Sequence, residues 1–90
     1  MSEIQRTVLI TNKRGLHARA SAKFVTLASG HPAAVEVEKD GSRVAGTSIM
    51  GLMMLGAAKG DSIVISASGD GAEAAVSALC ELVEGKFGED

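Results

Sequence analysis

The segment Ala34–Lys39 alternates Val35 and Val37 with Glu36 and Glu38 and runs into Asp40-Gly41. No other feature constrains the fold as tightly. Alternation at period two puts one set of side chains in a core and the other in water. Asp-Gly is the dipeptide that turns a strand back on itself in a two-residue hairpin. Ser42–Ala45 is therefore expected as an antiparallel partner, in a sheet wetted on one face and covered on the other.

The cover is legible elsewhere in the chain. Gln5–Thr11 is rich in β-branched and apolar residues and predicts a first strand. Ala18–Ser29 lacks Gly and Pro, sets Ala20, Phe24, Leu27 and Ala28 on one helical stripe, and stops at Gly30 with Pro32 beyond. Thr47 or Ser48 offers an N-cap to a short helix from Ile49 that closes near Gly56. That helix is apolar nearly all round, so some of Met50, Met53 and Met54 should be exposed and available to a partner. Ser62–Ser68 predicts a strand with Ile63, Ile65 and Ala67 inward. After the turn Gly69-Asp70-Gly71, a last helix is expected from Ala72 to about Lys86, burying Ala75, Val76, Leu79, Cys80 and Val83. The order βαββαβα reads as α+β, one domain over residues 1–90, with the helices on one face of the sheet.

Ninety residues of which 46% are hydrophobic and 22% charged make an ordinary globular composition. A chain of this length buries only ~60% of its unfolded surface and leaves no room for a large enclosed active site, so its chemistry should lie on the surface. The lone Cys80 reads as a buried thiol. No secretory signal pattern opens the chain, and the apolar run Ile49–Ala58 is too short to span a bilayer. A cytoplasmic location without membrane insertion is the expectation. Two Phe, no Trp or Tyr and a net charge of −2 argue against nucleic-acid binding. Charge is uneven, however, at +4 over residues 1–30 and −6 over 31–90. A small basic cluster on an acidic protein suggests a local anion or docking site.

His17 lies at the centre of that cluster, between Gly15 and the start of the first helix. The first N–H groups of a helix lack intrahelical partners, and the aligned peptide dipoles put partial positive charge there. Such a place attracts phosphate. The same field disfavours imidazolium, which biases His17 toward the neutral, nucleophilic ring. Arg19 can add a planar guanidinium to the same anion, and the amides of Ala18 and Arg19 are the expected backbone donors. His31 falls in a loop, no ligand set at metal spacing surrounds either histidine, and no cofactor motif is present.

The string from Ile10 to Phe24, with Gly15-Leu16-His17-Ala18-Arg19 at its centre, resembles the active-site segment of HPr. That is the histidine-containing phosphocarrier family of the phosphoenolpyruvate-dependent phosphotransferase system. Thr47–Leu55, followed by Ala57-Ala58-Lys59-Gly60, resembles the family's regulatory serine helix and the turn after it. The resemblance implies an open-faced sandwich, with a four-stranded antiparallel sheet and three helices on one face. It also implies that His17 takes a phosphoryl group on Nδ1 from phosphorylated enzyme I and passes it to an enzyme IIA, as a transfer intermediate more than an independent enzyme. Arg19 would stabilise the phosphate. Leu16, Ile49, Met50 and Met53 would form the docking surface, with Lys23 and Arg14 steering acidic partners. Ser48 would be phosphorylated by an HPr kinase/phosphorylase.

The family's usual proline after the arginine is replaced here by Ala20, which relaxes the start of the helix. Ile-Thr-Asn-Lys, Met-Met-Leu, Ala-Lys-Gly and the closing Phe-Gly-Glu-Asp are also similar to the nitrogen-regulatory branch, NPr, so the branch stays open. A non-carrier regulator switched at Ser48 and a small phosphohydrolase clamping anions with Arg19 are the other readings. The pairing of His17 with Arg19 argues against the first, and the lack of a water-activating pair argues against the second.

Overall fold

The computed structural model describes residues 3–89; Met1, Ser2 and Asp90, and with Asp90 the last residue of the Phe-Gly-Glu-Asp string, lie outside the described residues. Four strands, β1 (Ile4–Leu9), β2 (Ala34–Lys39), β3 (Ser42–Ala45) and β4 (Ser62–Ser68), alternate with three helices, α1 (Ala18–Ser29), α2 (Ile49–Met54) and α3 (Ala72–Glu84). The strands form one antiparallel sheet in the order β1-β4-β2-β3.

The hairpin is as the alternation predicts. Asp40 and Gly41 both take positive φ, 51° and 85°, which is the twist a two-residue turn needs. Val35 and Val37 face the core at 6% and 0% exposure. On the other face Arg43 of β3 pairs with Glu36 at 2.7 Å and Glu38 at 3.2 Å, leaving that side charged and wet. Ile63, Ile65 and Ala67 of β4 point inward. Across them lies α3, which packs on β1, β4 and β2 with Ala75, Val76, Leu79, Cys80 and Val83 buried, while α2 meets β3 and α1 rests on α2 and α3. Burial raises the Cys80 thiol above its ordinary value. Phe24 closes the middle of this core with no exposed surface, a burial worth about 1.5–3 kcal/mol.

Two boundaries and the burial of one side chain differ from the sequence pattern. The β1–β4 ladder ends at Leu9↔Ser62. Ile10 continues the pairing against a loop instead, donating to the Asp61 carbonyl and accepting from Gly60 N–H, both at 2.8 Å. The last helix stops at Glu84, short of Lys86, because Gly85 caps it and the chain then turns through positive φ at Lys86 and Phe87 to bury the Phe87 ring. Leu27 is only half-buried, at the margin of the α1 stripe, where Ser21 takes an enclosed place.

Candidate functional site

Gly15 sets the position of the loop that carries His17. Its φ of +62° belongs to the left-handed region, and a Cβ built on it would lie 2.3 Å from the Ala57 carbonyl oxygen and 2.8 Å from Ala58 Cα. Only a residue without a side chain fits there. The close approach lets Leu16 N–H donate to the Ala57 carbonyl at 3.0 Å, which fastens the loop before α1 to the loop after α2. From below, the fully buried Asn12 donates through Nδ2 to the Gly15 carbonyl at 2.9 Å.

His17 is the N-cap of α1, with extended backbone (φ −77°, ψ −178°). Its Nδ1 accepts from the Arg19 N–H at 3.3 Å, so the lone pair of that nitrogen faces the free amides that open the helix. Its Nε2 lies 2.9 Å from Glu89 Oε1. The His17 side chain is 15% exposed and Arg19 65%, so the ring is held while the guanidinium reaches into solvent. Arg19 Nε stands 4.0 Å from Glu89 Oε2. The hydrogen bond from His17, helped by Asn12 and by the charge of Arg19, holds the Glu89 carboxyl below its usual range. The sequence reading does not foresee this carboxylate beside the imidazole.

The structure thus brings His17, Arg19 and the amide of Arg19 together, and adds Glu89 and Asn12. In the sequence Glu89 and Asn12 stand only within the strings Phe-Gly-Glu-Asp and Ile-Thr-Asn-Lys, neither of which gives them a role at His17. Leu16 requires a correction. The sequence motif puts it on the docking surface, but it is 4% exposed and part of the core, because the Gly15 turn that fixes its N–H on Ala57 sends its side chain inward.

Lys23 is exposed on α1, but its ammonium donates to the Phe87 carbonyl at 2.7 Å. Together with Arg19, Ala22, Thr26, Leu27 and Leu82 it lines a groove of about 490 Å³ between α1 and α3. Ser48 is the N-cap of α2, its Oγ accepting from Gly51 N–H at 3.0 Å. Ile49 (42%), Met50 (71%) and Met53 (43%) are exposed, as is Met54 (78%). Among the described residues no cluster of three or more His, Cys, Asp or Glu is arranged to hold a metal ion, and no helix is long and apolar enough to cross a membrane.

The family model for the phosphorylation site of the HPr component of the phosphotransferase system matches residues 4–85. The chain belongs to the HPr/NPr family of phosphocarrier proteins. It is 50% identical over 86 residues to the phosphocarrier protein HPr of Neisseria meningitidis serogroup A, covering 96% of this chain and 97% of that one. To the phosphocarrier protein NPr of Shewanella violacea it is 39% identical over 89 residues, covering 99% and 98%. Its fold superposes on a crystal structure of HPr from Thermoanaerobacter tengcongensis with a TM-score of 0.90 at 48% identity, covering 100% of this chain and 99% of that one. The HPr-like architecture expected from the sequence, a four-stranded antiparallel sheet with three helices, is the one observed.

Proposed function

We propose that the chain acts as one cytoplasmic phosphocarrier domain, with His17 Nδ1 receiving a phosphoryl group from phosphorylated enzyme I and delivering it to a histidine of an enzyme IIA. The observation that carries this reading is the Nδ1 lone pair turned toward the Arg19 N–H in the opening turn of α1. Phosphoryl transfer asks a protein mainly for positioning and charge stabilisation. The amides of Ala18 and Arg19 supply partial positive charge at the incoming oxygens, and the exposed guanidinium can swing onto the same group. Ile49, Met50 and Met53 of the adjoining α2 form the apolar part of the docking face, and Lys23 and Arg14 its cationic margin.

Incubation with enzyme I and phosphoenolpyruvate tests the reading. Expected is stoichiometric, acid-labile and base-stable label, absent from His17→Ala. An unlabelled protein overturns the reading, and continuous phosphate release would point to the hydrolase instead. Ser48 completes the proposal as the regulatory residue addressed by an HPr kinase/phosphorylase. A phosphate there adds about −1.5 to −2 charges beside the docking face and repels an acidic partner. Ser48→Asp should therefore slow labelling of His17 without changing the fold, and an unchanged rate would remove Ser48 from the account.

A further inference from the structure

Glu89 lies beyond the last helix and in no strand, and two unfavourable backbone conformations are maintained in bringing it to the imidazole. Lys86 and Phe87 take φ of +60° and +57°, a region that side-chain-bearing residues rarely occupy. The segment is held there from several directions. The Phe87 ring is 1% exposed. Its carbonyl accepts from Lys23 Nζ of α1 at 2.7 Å. Gly88 N–H and Glu89 N–H donate to the Gly85 and Lys86 carbonyls, both at 3.0 Å. The outcome is a carboxylate only 17% exposed, with Oε1 at 2.9 Å from His17 Nε2 and 3.4 Å from Asn12 Nδ2. Asn12 is itself fully buried and tied to the carbonyl of Gly15, so the carboxylate is registered against the same loop that carries His17.

We infer that Glu89 is a positioning residue for phosphoryl transfer: it keeps the proton of the neutral His17 ring on Nε2, leaves Nδ1 as the nucleophile, and serves as counter-ion once the ring is phosphorylated. The partners fix the roles. The Arg19 amide can only donate, so Nδ1 presents a lone pair; an ionised carboxylate can only accept, so Nε2 carries the hydrogen.

The inference rests on the phosphocarrier reading above for its chemistry. The Nδ1 pair forms a bond to phosphorus while the donor's P–N bond breaks. The bonding electrons return to a donor ring that is protonated on its other nitrogen and so departs neutral. His17 keeps its Nε2 proton and becomes a phosphorylated imidazolium, whose positive charge lies against the Glu89 carboxylate. Onward transfer reverses these changes, with no proton crossing the site.

The test uses ring-15N-labelled full-length protein, well above the pH range in which imidazole is protonated, with single-turnover labelling by enzyme I as a second readout. The wild type should show Nε2 protonated and Nδ1 bare. In Glu89→Ala the proton should redistribute to populate the Nδ1–H form, and transfer should slow about tenfold, the scale of one partly screened charge-assisted hydrogen bond. Glu89→Gln, which retains an acceptor without charge, should keep the Nε2–H form while losing rate. Backbone amide spectra unchanged beyond residues 12–19 and 85–89 establish that the variants are folded. A Glu89→Ala protein with the wild-type tautomer overturns the inference whatever its rate. So does a Glu89→Ala protein labelled as fast as the wild type. A wild type that takes no label counts against the phosphocarrier reading instead, while the tautomer comparison still decides the positioning role.

Discussion

Replacing Gly15 by alanine separates two costs that usually arrive together. The backbone at Gly15 has φ +62°, and the added methyl would meet the Ala57 carbonyl oxygen at 2.3 Å and Ala58 Cα at 2.8 Å. Gly56 has nearly the same φ, +66°, but a methyl placed there would find nothing within 4 Å. Left-handed backbone alone costs a non-glycine residue about 1 kcal/mol. Forcing a carbon into occupied backbone space adds about 1–3 kcal/mol. Gly56→Ala should therefore lose about 1 kcal/mol and Gly15→Ala about 2–4 kcal/mol, a large share of the roughly 5–13 kcal/mol available to a domain of this length. Urea denaturation of the two variants beside the wild type measures both values. Gly15→Ala should also show reduced labelling of His17 under conditions where it remains folded, because the loops can part only by moving the residue that starts α1. Equal losses at the two glycines would refute the close approach of the 15–16 and 57–58 loops, and with it the account of how His17 is placed.

Three further outcomes are expected. Ser48→Ala removes the acceptor of the 3.0 Å bond from Gly51 and should cost about 1 kcal/mol in urea denaturation; a neutral result would mean the hydroxyl caps nothing. Ala20→Pro, at the third residue of α1 where the N–H has no intrahelical acceptor, should stabilise by about 0.4–1 kcal/mol. Since Ala20 has no exposed surface, a lowered urea midpoint would show that the enclosure has no room for the ring. The folded-state carboxyl of Glu89 lies below its ordinary value, so its contacts contribute stability that is present above the unfolded value, about 4.3, and is lost as pH falls through the lower folded one. An NMR titration of its side-chain carboxyl carbon should place the midpoint below that of an exposed glutamate, and a midpoint at or above it would contradict the His17 contact.

Much of the fold is legible in the residues because each signal has a local cause. The Asp40-Gly41 turn, the Val35/Val37 alternation and the Gly30 stop act over a few positions, and all three match the structure. His17 as an N-cap is equally local, since it follows from a glycine turn running into a helical stripe. The features without a sequence signal depend on distant partners. Leu16 sits in a motif whose exposure looks obvious, but its burial is decided by Ala57, forty-one residues later. Glu89 acquires its place from the Phe87 anchor and from Lys23 on another helix. The positive φ at Lys86 and Phe87 has no compositional mark, as neither residue is one that favours it, and so the apolar pattern makes the last helix look two residues longer than it is.

The attachments of the His17 loop also bear on how the protein is made. Its supports come from Ala57 and, seventy-two positions after the histidine, from Glu89. A ribosome releases the imidazole long before either, and contacts this far apart in sequence form late. An unfinished chain thus exposes His17 without these neighbours, and the loop takes the form described here only once Ala57 and Glu89 have been made and have folded against it.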